Sequence, residues 1–509
     1  MTAPAAATGA SREDRPREPR AGRTAALFVL PFVLLGVAWL FSNPVAAAPD
    51  EDDHLVKALG VARLDVGTPF TGAVDGSDLG AVRNASISRV VTIAARLSPA
   101  GLSCFQFQED VTADCQPPPP AARGDTEATT KLGAYPPFAY LPLGLPASAA
   151  ATPEQAFLQG RGIVLLQTSL LFWLACWHLV RWLGRRALVG VAFALTPVAV
   201  FCTGILNTSG LEITGALGVA AVVTVATRRT ESLTNRGTQA VMLVSGSALV
   251  LSRQLGLVTM AALVVLLLLV GGRPVIWREL RRRSPVMMAA VALLGVEAVA
   301  VSAWELANDH PVLLGPWASG PSLAEFVREL PQLVQEGVGW FGWLDTRMPV
   351  WSTTLWAAAV ALLVATAFFL GRRRDRLVLA GVLAAGLLVA YVTFARVFYP
   401  IGAGLQGRHL LPFFAILPVL AGVTLTERLS RRSLARIVAV ASVVLPALQL
   451  FALWFNAKRY AVGVSSGSWW FFPDARWSPP LGWLLWLALG LVACAAMAVS
   501  WRRLDDPAS

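Results

Sequence analysis

Long apolar runs alternate with short polar segments along most of the chain. A run of about 20 apolar residues is long enough to cross the hydrocarbon core of a bilayer as a helix. The pattern predicts an all-α polytopic membrane protein with about 12 transmembrane helices. The predicted spans are residues 24–42, 161–182, 187–204, 210–227, 237–251, 254–271, 286–304, 351–371, 377–395, 410–426, 433–454 and 481–501.

Polar segments divide the chain into one membrane domain with two tails and three long loops. Residues 24–501 form the predicted polytopic domain, between a disordered cytoplasmic tail at 1–23 and a short cytoplasmic tail at 502–509. Most connections between spans are short, and the exceptions are the segments 43–160, 305–350 and 455–480. We expect all three on the external face, with the first forming a large extracytoplasmic loop.

Composition and charge support this topology. The chain is 55% hydrophobic and 14% charged, whereas soluble domains carry about 25% charged residues. The net charge of +11 could suggest nucleic acid, but most basic residues cluster in alternate connections, such as RPVIWRELRRR, GRRRDR and ERLSRR. An excess of Lys and Arg on one side marks the cytoplasmic face. We therefore predict a multi-pass protein of the plasma (inner) membrane with both termini cytoplasmic, and no nucleic-acid partner.

The end of the first span allows two interpretations. The segment VAAAP resembles the small-residue cleavage site of a secretory signal peptide. Pro49 would then follow the cut, which is unfavourable, and the apolar run is long for a signal peptide. We favour an uncleaved first helix.

The five cysteines fall into two groups. Cys176, Cys202 and Cys494 lie within predicted spans, where cysteine usually packs as a small apolar residue. Cys104 and Cys115 lie in the first external loop, on an oxidising side where a disulfide is expected. The sequence has no spacing typical of a zinc site.

The densest negative charge follows the first span, in PDEDDHLVKAL. Residues 52–64 can form a short helix at the membrane surface, and acids near a helix start suit its dipole. In this first interpretation the acids of the segment only stabilise the start of the helix and help to keep the loop on the external side. Alternatively, one of them is a catalytic base, because crowding and partial desolvation raise a carboxyl pKa toward the range that accepts a proton from a hydroxyl. Both interpretations stay open on the residues alone.

PDEDDHLVKAL resembles the Pro-Asp-Glu-x-x-His motif of a bacterial polytopic membrane family known as a domain of unknown function. YPPFAYLPLGLP, LNTSGLEITGA and LQGRHLLPFF resemble further blocks of that family in the same order, over roughly residues 24–455. Members usually carry Tyr after the Gly-Arg of the last block, whereas this chain has His409.

That family resembles in turn the GT-C glycosyltransferases, membrane enzymes that use polyprenyl-phosphate sugars and carry an acidic motif after the first helix. The resemblance implies a GT-C-like fold with Asp50 as the base. It implies that Glu51 binds acceptor or sugar, or holds a metal. It implies that His54 orients a carboxylate or touches phosphate. A divalent cation is therefore the one possible cofactor, although its ligands are unknown.

A departing lipid phosphate requires cations on the external face. Arg253 lies in a short external turn, Arg396 lies at an outer helix end, and Gln406, Arg408 and His409 precede the next span. An Arg fork suits phosphate because it donates two hydrogen bonds. The alternative is that these arginines only extend toward lipid headgroups.

Four further residues are secondary candidates. Glu212 lies inside a span, where a charge is costly and often functional, and Asn207 could face the same cavity. Tyr135 and Tyr140, in YPPFAY, could contact sugar or lipid. Structural roles are the alternative for all four.

We therefore predict a membrane glycosyltransferase that moves a sugar from a polyprenyl-phosphate donor to an envelope glycan or glycolipid on the external face. Membrane lipids are the other expected partners. The alternatives are a transporter or lipid flippase, and a non-catalytic scaffold or a ligase for envelope polymers.

Overall fold

The computed structural model describes residues 18–308 and 320–505. Within them the helices are α1 (Glu18–Ser42), α2 (Glu51–Ala62), α3 (Leu79–Ile87), α4 (Leu141–Ser148), α5 (Pro153–Leu183), α6 (Leu188–Ala194), α7 (Pro197–Phe201), α8 (Ser209–Ala226), α9 (Arg236–Ser252), α10 (Gln254–Leu267), α11 (Arg273–Arg281), α12 (Pro285–Asn308), α13 (Leu323–Gly339), α14 (Val350–Leu370), α15 (Arg373–Thr393), α16 (Leu411–Phe414), α17 (Ile416–Arg428), α18 (Arg431–Val462) and α19 (Trp483–Arg502). The strands are β1 (Thr68–Pro69), β2 (Arg89–Ala94), β3 (Asp125–Thr130), β4 (Trp340–Phe341) and β5 (Thr346–Arg347).

The helices confirm the predicted polytopic class. In the part of the chain that the structure describes, ten helical segments are long and apolar enough to cross a membrane. Each corresponds to one predicted span. The two other predicted spans fall short of this criterion, and the count of twelve stays a prediction.

The predicted span 187–204 is not one continuous helix. It consists of α6 and α7, which are separated at Leu195. Thr196 caps α7 by accepting a hydrogen bond from the backbone N–H of Ala199, and Pro197 occupies the first helical position. Because proline has no N–H to donate and its ring clashes with the preceding turn, a helix ends before it. The other short span, 237–251, is the 17-residue helix α9.

The predicted tails differ from the structure at one end. Residues 1–17 and 506–509 lie outside the described residues. Residues 18–23 were expected in the N-terminal tail but belong to α1, which begins at Glu18. At the other end, α19 closes at Arg502 and a 3₁₀ turn covers Arg503–Asp505.

The polar end predicted as cytoplasmic is joined by ion pairs. Arg228, at the end of α8, lies 2.9 Å from Asp375 of α15 and 2.8 Å from Glu427 of α17. Arg374 donates to the backbone carbonyl of Val270. Three predicted cytoplasmic connections therefore meet at one end of the bundle. That this end is cytoplasmic, and that the long loops are external, stay predictions.

The segment between α1 and α5 is folded rather than irregular. In it, β2 pairs antiparallel with both β1 and β3. The helix α2 packs on this sheet and on α4 through Leu55, Val56 and Leu59, all buried. The sheet was not predicted from the sequence, although RVVTIA in β2 is rich in the β-branched residues that favour strands. This small layer positions the acidic motif over the end of the bundle.

Candidate functional site

Asp50 and Glu51 are neighbours in sequence but differ in environment. Asp50 caps α2 with a left-handed backbone, at φ 59° and ψ 21°, which Asp tolerates better than most residues. The helix begins at Glu51, with Glu51, Asp52 and Asp53 in its first turn. Because the backbone changes hand at Asp50, the two carboxylates are directed to different partners.

Glu51 belongs to the framework. Its carboxylate is fully buried and accepts two hydrogen bonds of 2.7 Å from the guanidinium of Arg161. It also accepts from the backbone N–H of Leu206 at 2.8 Å. Arg161 donates in addition to the backbone carbonyls of Leu40, Asn43 and Pro44. This fully buried pair ties α5 to the end of α1 and to the start of α2.

Asp50 is open. Its side chain is 33% exposed, and its oxygens lie 3.7 Å from the guanidinium of Arg408 and 3.9 Å from Nζ of Lys131. Both distances exceed those of a hydrogen bond. Among the described residues, the Asp50 carboxylate thus has two cations nearby and no fixed side-chain donor, which leaves its lone pairs free for a ligand.

The other two acids of the motif have structural partners. Asp52 accepts from the hydroxyl of Ser103 at 3.0 Å. Asp53 accepts from the backbone N–H of Lys131 at 2.7 Å and lies 3.2 Å from Nζ of the same residue. Burial raises the pKa of Asp53 to about 7, against the opposing effect of Lys131. Lys131 is therefore held beside Asp50 through Asp53.

His54 pairs with Tyr140. Nδ1 of His54 and the hydroxyl of Tyr140 are 2.9 Å apart, and the two rings are stacked. Burial, with Arg253 and Arg408 nearby, lowers the pKa of His54 well below its usual value. A neutral ring results at physiological pH, so this histidine supplies a hydrogen-bonding partner and not a charge.

Arg253 is at the centre of the second polar group. Its guanidinium donates to the hydroxyls of Ser209 and Tyr135, lies 3.2 Å from Nε2 of His409, and lies 4.0 Å from the carboxylate of Glu212. All these side chains except Tyr135 are buried. The turn between α9 and α10 thus presents a guanidinium to the same region as the Arg408 turn.

Arg408 sits in a tight 3₁₀ turn against α13. The backbone N–H of Gly407 donates to the carboxylate of Glu336 at 2.8 Å. A Cβ at Gly407 would lie 2.1 Å from the carbonyl oxygen of Leu333 and 2.4 Å from the backbone nitrogen of Gly337. Only glycine allows the backbone at position 407 to come this close to α13. This close contact fixes the position of the neighbouring Arg408 backbone.

Several buried polar atoms at this site lack a hydrogen-bond partner. In the described residues these are Nε of Arg408, Nδ1 of His409, Oε1 of Gln406 and both carboxylate oxygens of Glu212. Buried polar atoms in folded proteins are almost always satisfied, so a group of unsatisfied ones indicates a site for a polar ligand or water.

The remaining candidates are not all part of this group. Asn207 caps α8, since its Oδ1 accepts from the backbone N–H groups of Ser209 and Gly210. Arg396 is exposed near the end of α15, and within the described residues no hydrogen bond or ion pair joins it to the site. Cys104 and Cys115 form a disulfide, and the segment that they enclose packs against α18.

No metal site is formed by the residues that the structure describes. No group of three or more His, Cys, Asp or Glu side chains there could hold a metal ion. The donors at Asp50 are mixed with cations, which would oppose a bound divalent ion. The residues therefore do not fit the divalent cation that the sequence left possible.

An apolar groove ends at the Arg408 turn. Its volume is about 810 Å³, and its lining includes Leu333, Trp356, Val360, Leu383, Leu387 and Leu411. Gly407 and Thr196 line its polar end. Leu383 and Leu387 are exposed, so the groove opens sideways between α14 and α15. It offers a path for a long apolar chain toward the polar group.

Residues 32–417 match the family model described as "Predicted membrane protein (DUF2142)". The chain belongs to the DUF2142 family. This confirms the family membership inferred from the ordered motifs. A search of curated proteins found no match for this DUF2142 protein.

Solved structures similar to the DUF2142 protein include two of ArnT from Cupriavidus metallidurans. In the apo state the identity is 14% and the TM-score 0.44, over 96% of this chain and 78% of ArnT. For ArnT bound to undecaprenyl phosphate the identity is 16% and the TM-score 0.45, over 94% of this chain and 75% of ArnT.

Four residues of the site were missed from the sequence. Arg161 stands at the start of an apolar span, where a lone cation could have signalled a buried ion pair. Lys131 and Glu336 lie in the segments 43–160 and 305–350, which were predicted as loops of mixed composition, although the structure places Glu336 in α13. Lys57 is buried under Tyr140 and Trp304 and donates to the carbonyl of Gly133.

Proposed function

We propose that this protein is a GT-C-like membrane glycosyltransferase that transfers a sugar from a polyprenyl-phosphate donor to an acceptor hydroxyl on the external face. The observation that carries the proposal is the position of Asp50, 3.7 Å from Arg408, whose chain neighbour Gly407 lines the apolar groove. An open carboxylate, a buried guanidinium and an apolar groove match the three parts of this reaction, namely base, leaving phosphate and lipid chain.

The donor's polyprenyl chain lies in the groove between α14 and α15, which places its phosphate at the Arg408 turn. Arg408 has an unsatisfied Nε and no fixed hydrogen bond among the described residues, so its donors are available to phosphate oxygens. An Arg fork binds such oxygens in pairs. Arg253 adds a second positive charge and is held in place by Ser209 and Tyr135.

Asp50 removes the proton from the acceptor hydroxyl. The acceptor oxygen forms a bond to the anomeric carbon, while the bond from that carbon to the phosphate oxygen breaks. The electron pair leaves with the lipid phosphate, and its charge is stabilised by Arg408 and Arg253. Attack opposite the leaving group inverts the anomeric configuration. Lys131, held by Asp53 at 3.2 Å, places a second positive charge 3.9 Å from the Asp50 carboxylate.

The proposal assigns the two neighbouring acids different roles. Glu51 already accepts from Arg161 and from the backbone at Leu206, so it is assigned to the framework and not to acceptor or metal binding. His54 positions Tyr140 and stays neutral. A membrane of the envelope facing an oxidising compartment is the proposed location, with both termini cytoplasmic.

The test uses the purified full chain in proteoliposomes with a panel of undecaprenyl-phosphate sugars and an envelope glycan extract as acceptor. Asp50→Asn should lower the transfer rate by about 10²–10⁴-fold, the usual contribution of a general base. Asn tolerates the left-handed backbone at this position, which limits any effect on folding. Asp52→Asn is the matched control, since its side chain faces Ser103. Equal rates for Asp50→Asn and the unmodified protein would exclude Asp50 as the base.

A further inference from the structure

A second cavity lies beside the reaction centre, between the disulfide-bounded segment 104–115 and the β4–β5 hairpin. We call it the loop cavity. It has a volume of about 680 Å³, within the range of about 300–1,000 Å³ typical of small-molecule sites. Its lining includes Phe107, Glu109, Gln332, Trp340, Trp343 and Arg347. Nothing in the transfer step described above uses it.

The loop cavity shares lining residues with a cleft at the Arg408 turn. Glu336, Trp340 and Leu344 line it and also line a small cleft formed by Pro49 and Arg408. Nζ of Lys131, which lies 3.9 Å from the Asp50 carboxylate, also lies 5.8 Å from the ring centre of Trp343. The apolar groove and the loop cavity therefore approach the Arg408 turn from different sides.

The lining combines aromatic faces with hydrogen-bonding edges. Phe107 is exposed and meets Trp343 edge-on at 5.7 Å. Trp340 is partly exposed, and the guanidinium of Arg347 covers one face of its ring at 4.3 Å, which leaves the other face for a ligand. The C–H bonds of a sugar ring are weakly positive and pack well on the negative face of an aromatic ring. Exposed Glu109 and the side-chain oxygen of Gln332, whose Nε2 donates to Glu336 at 2.8 Å, can meet hydroxyl groups at the rim. This combination suits a saccharide better than a lipid chain.

The charge of the lining selects among saccharides. Four carboxylates line the loop cavity, Glu109, Asp110, Glu336 and Asp345, against the single guanidinium of Arg347. Asp345 is paired with Arg459 at 3.0 Å, but the remaining excess is negative. Like charges brought together in a partly buried site are unfavourable, so an acidic saccharide would be repelled.

We propose that the loop cavity is the acceptor site and that it binds an uncharged, hydroxyl-rich saccharide with its reacting hydroxyl toward Asp50. This inference rests on the proposed function. It specifies the acceptor class, and it assigns Trp340 and Phe107 as stacking surfaces, with Gln332 and Glu109 as hydroxyl partners.

The experiment measures binding of the detergent-solubilised full chain to an array of neutral, amino-sugar and uronic-acid oligosaccharides. Neutral glycans should bind, and Trp340→Ala should weaken that binding by at least about tenfold, the effect expected of an aromatic anchor. Gln332→Ala should weaken it less, and Gln332→Glu, which keeps a side-chain oxygen at the rim, separates hydroxyl binding from the loss of the hydrogen bond to Glu336. Trp470→Ala is the matched control, since Trp470 is exposed on another loop. Uronic-acid glycans should not bind.

Binding of undecaprenyl phosphate, measured in parallel, separates this inference from the proposed function. Trp340→Ala should leave the lipid affinity unchanged, whereas Arg408→Gln should reduce it and leave glycan binding intact. Absence of neutral glycan binding, equal binding of uronic-acid glycans, or no effect of both cavity variants would overturn the acceptor site. If Arg408→Gln leaves the affinity for undecaprenyl phosphate unchanged while the glycan results hold, the donor site is contradicted and the acceptor site is still supported.

Discussion

Glu51 and Arg161 form a fully buried, bidentate ion pair that joins the acidic motif to α5. Because every donor and acceptor that faces the pair is used, removing one partner leaves an uncompensated buried charge. Breaking a buried pair in this way costs about 3–5 kcal/mol. Glu51→Gln should therefore lower the free energy of unfolding by about that amount, measured by thermal or denaturant unfolding in detergent.

The exposed pair of Arg63 and Asp125 is the control, and Arg63→Ala should change stability little. A stable but inactive Glu51→Gln protein would instead assign Glu51 to the reaction.

Lys57 should make stability depend on pH. Burial, and to a smaller extent Arg89, lowers the pKa of Lys57 from 10.5 to about 7. Between these values the unfolded chain holds a proton that the folded chain lacks, so the free energy of unfolding should rise with pH from about 7 to 10.5. The slope from one group is at most about 1.4 kcal/mol per pH unit. Lys57→Met should flatten it in thermal melts recorded across this range. An unchanged slope in the variant would show that Lys57 stays charged.

The disulfide between Cys104 and Cys115 should stabilise the folded chain. Arg459 holds the enclosed segment by donating to the backbone carbonyls of Phe105, Gln108 and Val111. A disulfide across a short loop typically contributes about 2–4 kcal/mol. Replacing both cysteines by serine should lower the melting temperature, and mass spectrometry of the unmodified protein should find the two thiols oxidised. Free thiols at both positions would contradict the pairing.

Arg408 should bind phosphate by geometry as well as by charge. A lysine at this position keeps the charge but loses the fork that donates two parallel hydrogen bonds. We expect Arg408→Lys to weaken undecaprenyl phosphate binding by at least about tenfold, since charge-assisted bidentate pairs are the strongest of these contacts. Exposed Arg396, replaced by lysine in the same way, is the control. An equal loss of undecaprenyl phosphate affinity in Arg408→Lys and Arg396→Lys would indicate a nonspecific effect at the membrane interface.

Glu336 should act as a positioning residue. It accepts from the backbone N–H of Gly407, and Glu336→Ala would leave this buried donor unsatisfied at a cost of about 1–3 kcal/mol. The turn would then move, and Arg408 with it. We expect Glu336→Ala to weaken undecaprenyl phosphate binding. Glu336→Gln should weaken it less, because its amide oxygen can still accept the hydrogen bond from Gly407. If the alanine and glutamine variants bind lipid equally, the hydrogen bond to Gly407 has no positioning role.

The sequence was sufficient for features that depend on local pattern. Apolar length predicted twelve spans, and ten of them correspond to helices that are long and apolar enough to cross a membrane in the described residues. The order of the motifs linked Asp50, His54 and Arg408 to one family without showing that they lie close together. It was not sufficient where tertiary contacts decide. Nothing local distinguishes Asp50 from Glu51, because the difference arises from Arg161, a residue of another helix. Arg253 and Arg396 are equivalent by position at helix ends, yet only Arg253 meets Tyr135 and His409. The break at Pro197 was visible in the sequence, since Thr-Pro is a helix-start signal, but hydropathy alone does not register it.

The sideways opening of the apolar groove affects how affinity has to be measured. A ligand that arrives through the bilayer meets the protein at a concentration set by its mole fraction among the lipids, and not by its amount per volume of buffer. Adding carrier lipid or detergent should then dilute the ligand and weaken apparent binding, even though every contact within the protein is unchanged.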